Sequence, residues 1–123
     1  MTSTSATITR SAKMERIRAK PLREWFGLTQ EQFATAVGVG RRTVARWEAA
    51  GSGPERYTAE GKVAADVTEV RKLATRLMGE KTAKEWLHAT LPLLAGRTPI
   101  DTILTDRASI VLRILREDLE GGY

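Results

Sequence analysis

Arg41, Arg42, Thr43 and Arg46 lie within six consecutive residues, and their chemistry is recognition. An arginine fork can donate to O6 and N7 of one guanine together, the commonest specific contact in the DNA major groove. On a helix, Arg42 and Arg46 are four apart and share one side, while Val44 and Trp47 are three apart and share the other. Arg41 and Thr43 fall in the first turn, the part of a recognition helix that meets base edges. The pattern predicts a rod that is cationic outside and apolar inside, with double-stranded DNA as its partner.

The flanking residues predict the elements that would position this rod. Thr29 is a good N-cap, and Gln32 three residues later completes a capping box. Phe33, Ala34 and Val37 recur at helical spacing, and Gly38 supplies a left-handed helix end. Val39 reads as a plug in the turn. The second helix is expected from near Gly40 to about Ala50, stopped by Gly51. Gln30 opens the first helix, where its amide and the helix N-terminus could hold a DNA phosphate. Ahead of this pair, Pro21 suits a first helical turn, and Leu22, Trp25 and Phe26 give an apolar face closed by Gly27. Trp25 is expected in the core against Val44 and Trp47.

The stretch resembles the Xre/Cro family of helix-turn-helix proteins. The residues that carry the likeness are Leu28-Thr29-Gln30-Glu31, Ala34, Gly38-Val39, Thr43-Val44 and Arg46-Trp47-Glu48. Gly40 departs from the pattern, since the family usually places Ser or Thr there and gains a capping hydroxyl. The resemblance implies DNA contacts from Gln30, Gly40, Arg41, Arg42, Thr43 and Arg46.

Composition narrows the alternatives. The chain has 123 residues, 41% hydrophobic and 28% charged, enough for one or two small domains. It has no cysteine and one histidine, His88, which leaves no disulfide, thiolate metal site or histidine cluster. No run of about eighteen apolar residues and no secretory-type leader occurs, so a cytoplasmic protein without membrane contact is expected. Charge is uneven. Residues 1–57 hold 10 Lys+Arg and 5 Asp+Glu, a net of +5, whereas residues 58–123 hold 10 of each. The excess positive charge sits with the DNA-reading pattern.

On this reading the chain is all-α. A Ser/Thr-rich arm over 1–12 is expected to be disordered. Arg10 to Ala19 is basic, and both a helix and a loose arm that adds phosphate contacts through Arg10, Lys13, Arg16, Arg18 and Lys20 are open. A helix-turn-helix domain follows over 13–57, and Gly51-Ser52-Gly53-Pro54 marks its end. A small helical domain fills 58–123. Its first helix is predicted from about Ala59 to Met78, with Val63, Val67, Val70, Ala74 and Leu77 as the packed seam. Thr82-Ala83-Lys84-Glu85 has capping-box spacing and predicts the start of a short helix. Leu91 to Gly96 reads as a buried apolar loop. Thr98-Pro99-Ile100-Asp101 starts another short helix. A last helix over 106–120 carries Val111, Leu112, Leu115 and Leu119 on one stripe, with Ile110 and Ile114 on a second.

Nothing in 58–123 has the spacing of a phosphate loop or a nucleophile motif. The residues alone give a helical interaction domain. Trp86-Leu87, Leu94-Ala95-Gly96, Thr98-Pro99-Ile100-Asp101-Thr102-Ile103-Leu104 and Val111-Leu112-Arg113-Ile114-Leu115, with a glycine-containing end, resemble the C-terminal domain of the Xre/MbcA/ParS antitoxin family. That resemblance implies a RES-domain toxin that consumes NAD as partner. It implies inhibition by covering the toxin's active-site cleft, together with repression of the antitoxin's own operon. Ile110, Ile114 and the tail Gly121-Gly122-Tyr123 are then the expected toxin contacts. A homodimer, or a hetero-oligomer with the toxin, is expected; no cofactor and no catalytic activity is. The alternative is a stand-alone Xre-type repressor whose back half dimerises or senses a ligand.

Overall fold

A computed structural model describes residues 16–120. The disordered arm expected over 1–12, the arm cations Arg10 and Lys13, and the tail Gly121-Gly122-Tyr123 lie outside the described residues.

The described residues form an all-α fold. Helix α1 is Ala19–Phe26, α2 is Gln30–Val37 and α3 is Arg41–Ala49. The capping box forms as its spacing predicts: Gln32 N–H donates to Thr29 Oγ1 at 3.0 Å and Thr29 N–H to Gln32 Oε1 at 2.9 Å. Gly38 ends α2 at φ 81°, a left-handed conformation that costs a residue with a Cβ about 1 kcal/mol or more. Gly40 is the N-cap of α3 and makes no side-chain cap.

Helix α4, Ala59–Met78, has 20 residues, roughly 30 Å at the standard rise, and is the spine of the back half. Val67, Val70 and Ala74 of its seam are buried, and Val63 and Leu77 pack at the edge of the core. Helix α5, Glu80–Leu87, follows with only Gly79 between, so the start expected at Thr82 is wrong. Gly79 stops α4 at φ 83°, and its carbonyl accepts from Ala83 N–H at 2.9 Å. The helix therefore restarts at once and encloses Thr82.

The apolar run after α5 is not a buried loop. Leu91 and Arg97 pair as an isolated antiparallel bridge around a 3-10 turn, Pro92–Leu94. Leu94 points into the protein while Leu93 is 64% exposed. Helix α6, Pro99–Thr105, is capped by Thr98, whose Oγ1 accepts from Asp101 N–H at 3.0 Å. The last expected helix is two pieces: α7, Ala108–Ile114, and a π-helical turn, Leu115–Glu120.

One apolar cluster runs through all of this. Phe33, Val37 and Val44 of the front half join Val67, Val70, Leu87, Ile103 and Leu115 of the back half. Helix α2 packs on α3, α4 and α6, and α4 packs on α5 and α7. No helix among the described residues is long and apolar enough to cross a membrane.

The connection between α3 and α4 is pressed onto α4. A Cβ on Gly61 would lie 1.8 Å from the Glu55 carbonyl oxygen, a clash with backbone that no side-chain rotation relieves. Gly61→Ala is expected to cost about 1–3 kcal/mol, read as a lowered midpoint in urea with an unchanged slope.

Candidate nucleic-acid interface

The inner faces of α1, α2 and α3 hold a charged knot. Arg23 on α1 donates through Nε to Glu48 Oε2 at 2.6 Å and through NH2 to Glu48 Oε1 at 2.9 Å. Its NH1 donates to the Leu28 carbonyl, in the turn ahead of α2, at 2.9 Å. Gln30 Nε2 donates to Glu48 Oε1 at 3.1 Å. The Arg23 and Glu48 side chains are only 17% and 7% exposed. The Arg23 hydrogen bonds hold the Glu48 carboxyl below the usual carboxylate range against the opposing effect of burial, and Gln30 adds to the lowering. The Arg23 guanidinium is in turn held above its ordinary value by its bond to Glu48. A bidentate arginine–carboxylate pair has one good geometry, so it fixes the approach of two helices as well as their distance.

With Glu48 and Val44 turned inward four residues apart, the opposite face of α3 is set. Arg41, Arg42 and Arg46 are all exposed, and Thr43 is half-buried. None of the three arginines forms an ion pair among the described residues. Their donors are available to an anion or a base edge. Trp47 packs at the margin of the core, as does Val39 in the turn.

The structure brings Gly40, Arg41, Arg42, Thr43 and Arg46 onto one helix, with Gln30 at the foot of its neighbour. Gln30 differs from expectation in one respect: one amide N–H is engaged with Glu48, so part of its role is internal. Its position at the N-terminus of α2 still favours an anion through the backbone. Of the arm cations, Arg16 is bound to Glu55 at 2.9 Å and to the Gly53 carbonyl at 3.2 Å, whereas Arg18 and Lys20 are exposed.

Trp25 is buried in the apolar cluster that holds Val44 and borders Trp47, and it also reaches the back half. Its indole N–H donates to Glu80 Oε1 at 3.1 Å, and Arg71 and Lys84 sit over its ring at 5.3 and 5.6 Å. These are residues of α4 and α5, so Trp25 clasps the front half to the back. Of the expected partner contacts, Ile114 is only 8% exposed, so it offers little surface in the isolated chain. Ile110, one turn earlier, remains partly exposed.

Arg23 and Glu48 were missed as a pair, although periodicity carries a signal for both. Ala19, Leu22, Arg23 and Phe26 form one helical stripe, and Val44, Trp47 and Glu48 form another. A charge on a buried stripe demands a partner of opposite sign. Among the described residues no group of three or more His, Asp or Glu could hold a metal ion.

Residues 20–60 match the helix-turn-helix family. A probable mycobacterial cidal antitoxin of Mycobacterium tuberculosis is 31% identical over 101 residues, covering 80% of this chain and 82% of that protein. Among solved structures, a chain of the M. tuberculosis MbcT–MbcA toxin–antitoxin complex is similar in fold. Its TM-score is 0.57 at 23% identity, over 86% of this chain and 94% of that one.

Two expectations test this geometry. Glu48→Gln is expected to lower stability by about 3 kcal/mol near neutral pH, since it strands the Arg23 charge. Because folding depresses the Glu48 pKa, the pair's contribution is fully present above the unfolded carboxylate value. It disappears as pH falls through the depressed folded value. Denaturation profiles between pH 7 and pH 2 should therefore converge for the two proteins at the acid end. Separately, Arg42→Ala and Arg46→Ala are each expected to cost about 1–3 kcal/mol of operator binding and to relax base preference, measured by titration against operator variants.

Proposed function

The chain belongs to the family of the mycobacterial cidal antitoxins, and on that premise we propose that it is the antitoxin of a two-gene toxin–antitoxin operon. The observation that carries this reading is the extent of the similarity. It runs over 80% of the chain, across both the helix-turn-helix and the helices behind it. The front half binds operator DNA through Arg41, Arg42, Thr43 and Arg46, with Gln30 and Gly40 at the flanking helix starts. The back half binds a RES-domain toxin and stops NAD consumption by covering its active-site cleft. Both tasks are cytoplasmic and need no catalytic group on this chain.

A single recognition helix makes few base contacts, so operator binding is by paired modules on two half-sites. The net charge of +5 falls on residues 1–57, and phosphate neutralisation there releases counterions from DNA.

Expression of the toxin gene from the same operon should arrest growth and deplete NAD, and co-expression of this chain should restore both. Failure to restore either one overturns the antitoxin reading. An Arg42→Ala, Arg46→Ala double variant should still neutralise the toxin while losing repression of an operon-promoter reporter. Operator affinity should also fall steeply with salt, with the log–log slope shallower by about one for each phosphate-contacting cation removed.

A further inference from the structure

The two ends of the recognition helix are charged differently. At its N-terminal end α3 supplies its own cations, Arg41 and Arg42. After Arg46 it supplies none: Trp47, Ala49 and Ala50 are uncharged, and Glu48 is matched by Arg23. The cations at this end come from the chain ahead of α1. Ala19 N–H donates to the Ser52 carbonyl at 3.1 Å, and Ser52 N–H donates to the Trp47 carbonyl in the last turn of α3 at 2.8 Å. The backbones touch here, since a Cβ on Gly53 would lie 1.6 Å from the Ile17 carbonyl oxygen. Arg16 adds its bonds to the Gly53 carbonyl and to Glu55. Residues 16–19 are therefore fixed along 52–55, in place of the loose arm their composition allows.

Arg18 and Lys20 flank Ala19 on either side, and both are exposed. Neither forms an ion pair among the described residues. Arg18 is the N-cap of α1 but makes no side-chain cap. Lys20 lies three residues before Arg23, about 60° around the helix from it, and its charge helps to lower the Glu48 carboxyl. The acids nearby do not cancel the pair. Glu48 is held by Arg23 and Glu55 by Arg16. Glu31 of α2 lines a hollow against α6. Glu24 is exposed one turn further along α1, about 100° around from Arg23. Beyond Glu55, Arg56 and Glu60 bring one charge of each sign.

We propose that Arg18 and Lys20 clamp a row of DNA phosphates at the C-terminal end of the recognition helix. The proposal rests on the DNA-binding reading above and adds to it two contacts that lie off α2 and α3. Helix α3 has nine residues, about 13.5 Å at the standard rise, and the major groove is about 12 Å wide. A recognition helix that enters N-terminus first brings its last turn to the lip of the groove, where the phosphates lie. Ala49 and Ala50 let the duplex approach there without offering it a charge. Arg18 and Lys20 supply that charge, and phosphate contacts of this kind fix register without reading sequence.

The test uses the full chain, a duplex carrying the promoter of its own operon, and a mixed-sequence duplex of equal length. Arg18→Ala with Lys20→Ala should weaken binding to both duplexes by a similar factor, about 10- to 100-fold near 0.1 M salt. The log–log salt slope should become shallower by about two for each protomer bound. Base preference, read with operator variants, should not move. Arg18→Lys with Lys20→Arg should keep the parent slope. Lys81→Ala with Arg113→Ala removes the same charge from exposed sites of the back half and should also keep it. Thermal melts confirm folding first, and Lys20→Gln alone, expected to lower the slope by about one, serves if the double variant folds poorly. An unchanged slope without Arg18 and Lys20, or an equal change in the back-half control, overturns the clamp and leaves the DNA-binding reading standing. A loss confined to the promoter duplex means base readout and overturns the clamp as well. If the parent binds neither duplex, the clamp and the DNA-binding reading are both overturned.

Discussion

Glu48 is a carboxylate placed where three helices meet, and the front half is arranged around satisfying it. Its two oxygens take three donors, two from Arg23 and one from Gln30. The two donor residues come from different helices, Arg23 from α1 and Gln30 from the start of α2, and Arg23 also reaches the Leu28 carbonyl between them. An apolar contact tolerates sliding; a forked charge pair that is mostly buried does not, because each misaligned bond leaves a desolvated charge. The direction of α3 against α1 and α2 follows from that. Once Val44 and Glu48 are committed inward, Arg42 and Arg46 have no direction left but solvent. The cationic face is thus a consequence of an internal ion pair as much as of the arginines themselves.

The parts of the fold legible in the sequence are those decided by a few neighbouring residues. Thr29 with Gln32, Thr98 with Asp101, and Gly38 each fix a helix end by local hydrogen bonds or a local dihedral, and each falls where its spacing predicts. The bounds of α3 and α4 follow for the same reason. What was not legible turns on competing local signals or on contacts with residues far along the chain. Thr82 has good capping spacing, yet Gly79 is better placed to stop one helix and start the next, and capping spacing cannot rank the two. Leu93 is as apolar as Leu94, but a 3-10 turn sends adjacent side chains to different sides, and only Leu94 meets the core. Ile110 and Ile114 share a face by spacing, yet Ile114 is buried and Ile110 only half-buried, a difference that spacing alone does not express.

Trp25 shows the same dependence on distant residues at larger scale. Its helix packs on the recognition helix, and spacing says as much. Its ring also lies under Arg71 and Lys84, with its N–H on Glu80, contacts to α4 and α5 that spacing does not reveal. Indole over cation contacts of this kind are worth about 1 kcal/mol each, more where water is excluded. Together with the apolar cluster from Phe33 to Leu115, they make the two halves one packed body.

That packing bears on how one small chain can serve two partners. A flexible tether would let a DNA reader and a protein-binding module move independently, and occupancy at one would say little about the other. Here α2 contacts the recognition helix on one side and α4 and α6 on the other. The arginine face of α3 and the outer surfaces of the helices behind it therefore keep a fixed spacing and angle, so whatever the back half holds is carried to one defined place relative to whatever α3 holds.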